Sequence, residues 1–165
     1  MNQTIAALCL AGLGSVVGLG SVWAFEETDL NQLRETGNCL ECDLRGAELR
    51  GADLSEANLR EADLREANLF RAHLMRVNLT GASLRKASLT GANLEQASLR
   101  EADLREANLR EADLFRANLF RADLREADLR EARLTRAKLR DANLTNALWT
   151  DGSQCSNESC DGKAY

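Results

Sequence analysis

From residue 44 to residue 144 leucine occupies every fifth position without a gap, twenty-one times in register. Two residues ahead of each stands alanine, the exceptions being Cys42 and Val77, both small and apolar. The other three positions of each pentad are polar or charged nearly throughout, as at Asp53, Arg60, Glu61, Asn68, Glu101 and Arg110. On an α-helix a step of five turns about 500°, so the leucines would wind around the whole surface. On a continuous strand an odd spacing sends successive leucines to opposite faces. The spacing of two between Ala and Leu, however, puts both on one side of a short extended segment. If the chain turns a corner after each such segment, every Ala-x-Leu can face one axis. The pattern therefore predicts a closed coil with Leu and Ala inside. Gly46, Gly51, Gly81 and Gly91 fall at the corner position, where a positive φ costs glycine little.

At Ala52-Asp53-Leu54-Ser55-Glu56 and its neighbours the chain resembles the pentapeptide-repeat family, whose pattern is A-(D/N)-L-x-x. The resemblance covers residues 41–150. It implies an all-β fold, a right-handed quadrilateral β-helix with four pentads per coil. The repeats then make about five coils, rising about 25 Å at the ~4.8 Å spacing of stacked strands. Right-handedness follows the general rule for connected parallel strands. Each buried Leu contributes on the order of 1.5–3 kcal/mol, which ordering its pentad consumes. Stability must therefore come from stacking neighbours, and both open ends need covering. Residues 25–40 read as the lower cap: Thr28 caps a short helix Asp29–Thr36, Leu30 and Leu33 share one face, and Gly37 stops it. At the top, Trp149 takes the Leu position and serves as a lid, followed by a tail over residues 151–165.

Residues 1–24 are different material, with no Lys, Arg, Asp or Glu. Ile5 to Val17 is an apolar run of signal-peptide length, and Val22-Trp23-Ala24 places small residues where a signal peptidase reads them. Cleavage after Ala24 leaves a chain beginning at Phe25. An uncleaved membrane anchor is the competing reading, opposed by four Gly and two Ser in the segment. Either way the expectation is export, with no membrane association once the leader is removed. The Cys39-x-x-Cys42-Asp43-Leu44 segment looks like that of exported cyanobacterial members of the family, which implies the periplasm or thylakoid lumen.

The net charge is −5, yet residues 41–149 carry nineteen acidic and nineteen basic side chains. A neutral tower has no basic field to attract phosphates and no acidic field to imitate them, so no nucleic acid is expected as a partner. With four pentads per coil, every fourth pentad stacks on one face. The first face then carries Arg45, Arg65, Arg85, Arg105 and Arg125 beside Asp43, Asp63, Ser83, Asp103 and Asp123, a solvated array of neutralised pairs worth little individually. The third carries Ser55, Met75, Glu95, Phe115 and Thr135. Phe120 lies around the next corner and Phe70 projects from the second face. Met75, Phe115 and Phe120 are the candidate contact patch for an unknown protein partner.

Four cysteines remain after the leader. Zinc or a bridge between the ends fails on distance, so local pairs Cys39–Cys42 and Cys155–Cys160 are expected in an oxidising compartment. Two buried, unbonded residues are the alternative at Cys39 and Cys42. His73 is the one histidine and faces outward. No nucleophile-and-base motif and no phosphate loop is present, so neither catalytic residues nor cofactors are expected. The leading function is thus a non-catalytic structural or interaction tower. The resemblance also brings in its quinolone-resistance branch, which mimics DNA and binds gyrase, opposed here by the leader and the neutral tower. A CxxC thiol-redox protein is the third reading.

Overall fold

The computed structural model describes residues 27–155. It opens with one helix, α1 (Glu27–Thr36), and continues as a coil whose turns are joined by parallel bridges. Each bridge pairs a residue with the one twenty positions on, from Asn38 with Asn58 up to Asp128 with Leu148. Twenty residues are four pentads, so the offset defines four walls. Wall 1 runs up through Asp43, Asp63, Ser83, Asp103 and Asp123, and wall 2 through Glu48, Asn68, Ser88, Asn108 and Asp128. Wall 3 follows Asp53, His73, Asn93, Asp113 and Arg133, and wall 4 follows Asn58, Asn78, Ser98, Asn118 and Lys138. These are single bridges and not continuous strands, because only the Ala-x-Leu segment of a pentad is extended before the chain turns. Every Leu from Leu59 to Leu129 is inaccessible to solvent, and among the described residues no polar or charged residue joins the core.

The corners close as four-residue turns, with the N–H of each Ala donating to the carbonyl of the preceding Leu, as in Ala97 to Leu94 at 3.0 Å. The third residue of each turn has a positive φ, which is the type II arrangement. Glycine meets that need at Gly81 (φ 70°) and Gly91 (φ 66°), but Glu101 (58°), Arg116 (57°) and Lys86 (60°) do the same. The glycines are thus a minority at a position where side chains bear a left-handed conformation costing roughly 1–2 kcal/mol each. Such a conformation persists only where the surroundings over-determine it. Three hydrogen bonds between coils supply that determination in each interior pentad. In one, Leu94 N–H donates to Asp113 O (2.8 Å), Gln96 N–H to Phe115 O (2.9 Å) and Asn93 N–H to Ala72 O (2.9 Å).

One backbone N–H per pentad is left over, that of the residue after Leu. Where Asp or Asn stands before Leu its side chain takes it, Asn58 excepted, whose Oδ1 is buried without a partner among the described residues. Asp103 Oδ1 accepts from Arg105 N–H at 3.2 Å, Asn118 Oδ1 from Phe120 N–H at 3.2 Å and Asn93 Oδ1 from Glu95 N–H at 3.0 Å. This is the Asx-turn chemistry of short polar side chains, and it is why the repeat prefers Asp or Asn there.

The two ends differ. Below, Leu30 and Leu33 are buried against the first coil, and Asp29 Oδ2 accepts Asp43 N–H at 2.7 Å. The helix begins at Glu27, two residues before the expected start, so Thr28 lies inside it and is not its cap. Acidic Glu27 and Asp29 in the first turn suit the positive end of the helix dipole. It stops at Gly37 (φ 67°), whose N–H donates to Leu33 O at 2.9 Å. Above, Trp149 is buried as a lid should be, but a chain reversal completes the closure. Trp149 N–H donates to Ser153 O (2.7 Å) and Cys155 N–H to Ala147 O (2.8 Å), so residues 153–155 run antiparallel to the last coil. The reversal covers only that side. Leu139 and Ala142 remain partly exposed at the rim.

Candidate functional site

A closed Leu-Ala core leaves only the outer walls for function. On wall 1 each arginine folds back onto the carboxylate two residues ahead of it. Arg105 Nε donates to Asp103 Oδ1 (2.8 Å) and Nη2 to Oδ2 (2.6 Å), and Arg45 and Arg65 do the same with Asp43 and Asp63. The guanidinium hydrogen bond holds the Asp43, Asp103 and Asp123 carboxyls below the usual range, against a smaller opposing effect of burial. Ser83 breaks the series. Without a carboxylate at its own rung, Arg85 reaches instead to Glu106, at 2.9 Å from Nε and 2.5 Å from Nη2. Gly81 and Ser83 together leave an open, polar cavity of about 350 Å³ between Asp63 and Asp103.

The three outward phenylalanines do not form a bare apolar patch. Phe70, Phe115 and Phe120 are half-buried, and guanidinium groups cover them. Arg100, Arg121 and Arg140 lie 4.9, 4.9 and 4.8 Å from the centre of the Phe120 ring. Arg116 and Arg133 lie 5.0 and 4.5 Å from that of Phe115, and Arg50 and Arg71 flank Phe70 at 4.3 and 5.1 Å. These are cation–π distances. The sequence holds a signal for this that was missed: each phenylalanine is followed at once by arginine, and Arg100 and Arg140 stand twenty residues either side of Phe120. Phe115 is on wall 3 and Phe120 on wall 4. Met75, also half-buried, shares the Phe115 column but lies two coils below it, with Glu95 between. The structure therefore does not gather the three expected contact residues at one point.

The neutrality of the tower also hides a lateral separation. Over residues 112–121 and 132–141, walls 3 and 4 carry six cations (Arg116, Arg121, Arg133, Arg136, Lys138 and Arg140) against Asp113 and Asp141. At the same height walls 1 and 2, residues 102–111 and 122–131, carry four arginines against seven carboxylates. The expectation that the tower has no basic field holds for its total charge and fails locally.

A disulfide joins Cys39 and Cys42, with 5.3 Å between their Cα atoms, at the junction of α1 and the first coil. Cys39 is fully buried and Cys42 nearly so. Cys155 is buried and disulfide-bonded; Cys160, its expected partner, lies outside the described residues, as does the leader over residues 1–24. His73 is exposed on wall 3. Among the described residues no group of His, Cys, Asp and Glu is arranged to hold a metal ion, and no helix is long and apolar enough to cross a membrane.

Twenty-residue stacking, an Ala-Leu interior and Asx-held corners define a pentad-repeat β-helix. The model of the pentapeptide repeat matches residues 38–76, 78–116 and 112–148, in eight copies; the chain belongs to the pentapeptide-repeat family. It is similar to HetL, a pentapeptide repeat protein involved in heterocyst differentiation regulation from the cyanobacterium Nostoc sp. strain PCC 7120. The two are 36% identical, over 72% of this chain and 76% of HetL, with a TM-score of 0.35. A pentapeptide repeat protein of the Arabidopsis thaliana thylakoid lumen is 32% identical over 68% of this chain and 72% of its own, with a TM-score of 0.38. Rfr23 from the cyanobacterium Cyanothece 51142 is 25% identical over 74% and 97%, with a TM-score of 0.40. No curated protein matches the chain.

Proposed function

We propose that this chain is a non-catalytic interaction tower, a right-handed β-helix of about five coils that works in an extracytoplasmic compartment and presents one wall region to a protein partner. The observation that carries the reading is the cluster of half-buried phenylalanine and arginine at Phe115 and Phe120, on a scaffold whose backbone is held at every corner. Aromatic and arginine side chains are the residues that anchor protein contacts. The backbone beside both rings is held by bonds to the coil above, Arg116 N–H to Thr135 O at 3.1 Å and Arg121 N–H to Arg140 O at 3.1 Å, which lowers the ordering cost of binding. Export is supported by the uncharged segment of residues 1–24 and by disulfide-bonded cysteines.

Two measurements test this. Intact mass from fractionated source cells, with and without thiol alkylation, should find a chain beginning at Phe25 with its remaining cysteines oxidised. An uncleaved, reduced chain in the cytosol would overturn export and bring the gyrase-binding alternative forward. A photo-cross-linking residue at position 120 should capture a protein in those cells, whereas one at position 65 should not. Equal capture at both positions would remove this wall region as the contact site.

A further inference from the structure

We infer that the upper part of walls 3 and 4 is built to dock an acidic protein surface, a carboxylate-bearing polypeptide; this rests on the interaction-tower reading and names the chemistry of its partner. Six cations stand there against two carboxylates, and their pairing differs from that on wall 1. Arg105 has carboxylate oxygens at 2.8 and 2.6 Å. Arg116, Arg121, Arg136 and Lys138 have none within ion-pair distance among the described residues. Arg116 and Arg136 occupy the same corner in successive coils, with Lys138 on the adjoining wall, all three exposed. Unpaired guanidinium groups on a regular backbone offer a planar two-pronged fit to carboxylates. The carboxylate-rich walls lie on the other side of the same coils, so the field is directional and steers an acidic partner to one face.

Three observations separate a protein from other polyanions. Guanidinium groups at 4.8–4.9 Å cover the Phe120 ring from three arginines, leaving no bare ring on which unpaired bases would stack. The only large hydrophobic side chain exposed among the described residues is Leu40, at the opposite end of the tower, so nothing on this face would enter a lipid layer. The mixture of arginine with half-buried aromatic side chains is that of protein contact centres.

The test uses the mature chain and fluorescent poly-L-glutamate as the probe. Single-stranded DNA of matched charge and anionic phosphatidylglycerol vesicles serve as comparators. Poly-glutamate should bind, and the R116E/R136E/K138E variant should weaken it at least tenfold, with the R116Q/R136Q/K138Q variant intermediate. A control matched in net charge, R45E/R65E/R125E, should change it less than twofold. Thermal unfolding confirms that each variant folds. If the control weakens binding as much as the patch variant, net charge and not this surface is responsible, and the inference falls. Tighter binding of DNA or vesicles overturns it in favour of those ligands. Sedimentation that shows oligomers dispersed by the patch variant, without poly-glutamate binding, overturns it in favour of a second copy. Cross-linking at position 120 fails or succeeds independently: a captured partner whose contact segment is not acidic keeps the interaction-tower reading and ends this one.

Discussion

Two side-chain positions set how firmly a pentad holds its corner. The Asp or Asn before Leu ties down the one N–H that the coils leave over, and on wall 1 it also binds arginine. Asp103→Ala should therefore cost about 1–3 kcal/mol, the range for removing the partner of a hydrogen-bonded group. Asp103→Asn, which keeps the Oδ1 acceptor for Arg105 N–H, should cost less; urea denaturation ranks the two. Protonation carries a sign. The Asp43, Asp103, Asp123 and Asp128 carboxyls are held low, chiefly by arginine hydrogen bonds. Their folded pKa lies beneath the unfolded one, so their stabilisation is present above the usual value of about 4 and fades as pH falls through the folded value. The wild-type unfolding midpoint should drop below pH 4, and D103A should drop less steeply. The corner residue acts in the opposite sense. Glu111 sits at φ 57°, and a left-handed side chain costs roughly 1–2 kcal/mol, more than the roughly 0.5–1 kcal/mol of extra chain entropy that glycine brings. Glu111→Gly should raise stability by a few tenths to 1 kcal/mol. A loss would mean that the corner carries no strain.

At the scale of elements, the caps set what the ends tolerate. Leu33 of α1 is fully buried, and Leu33→Ala should cost 2–5 kcal/mol by the usual core range. The Cys39–Cys42 bridge closes a loop with a sequence separation of 3. So short a loop limits its contribution to about 2 kcal/mol in the chain-entropy account. C39A/C42A should therefore weaken the tower less than L33A does. Calorimetry in the reverse order would show that the bridge, and not the helix, is the principal lower cap. At the other end, Trp149 is 4% exposed beneath the antiparallel reversal. Trp149→Ala should remove about 3–5 kcal/mol and speed amide exchange first at Asn146 and Cys155, whose backbone groups bond each other at 2.9 Å.

For the whole molecule, each pentad touches only the coils above and below it, so stability is a sum of neighbouring contacts with weak ends. Leu94 lies in the interior and is inaccessible, whereas Leu139 at the upper rim is partly exposed. Leu94→Ala should cost about 3 kcal/mol and Leu139→Ala about 1 kcal/mol, since the rim loses less buried area and can relax. Hydrogen exchange should rise toward the rim. Equal losses for the two variants would mean that the upper end is covered as well as the middle. The lateral charge separation is a property at this scale too, because it sums side chains from two walls and two coils that are up to thirty positions apart in the chain.

How much of this was legible follows from which interactions are local. The Ala-x-Leu spacing alone assigns every inward side chain, since a period of five buries leucine only if the chain turns after each pentad. The four-sided offset entered through the family pattern A-(D/N)-L-x-x, because the period by itself allows other numbers of sides. The Arg–Asp pairs of wall 1 need no offset, being between residues two apart, and they form at Asp43, Asp63, Asp103 and Asp123. With the offset, the cover over Phe120 was legible too, since Arg100 and Arg140 stand one full coil of twenty residues either side of it. Two things needed the folded chain. The reversal at residues 153–155 depends on where the last coil leaves an edge open. The basic side depends on the way walls 3 and 4 meet at one corner, which brings Arg116, Arg136 and Lys138 together while their counterweights Glu106, Glu111, Glu126 and Glu131 belong to the pentads of walls 1 and 2. The local period determined the core because burial is decided pentad by pentad; charge acts across space, so only the tertiary structure could decide which side of a neutral tower is positive.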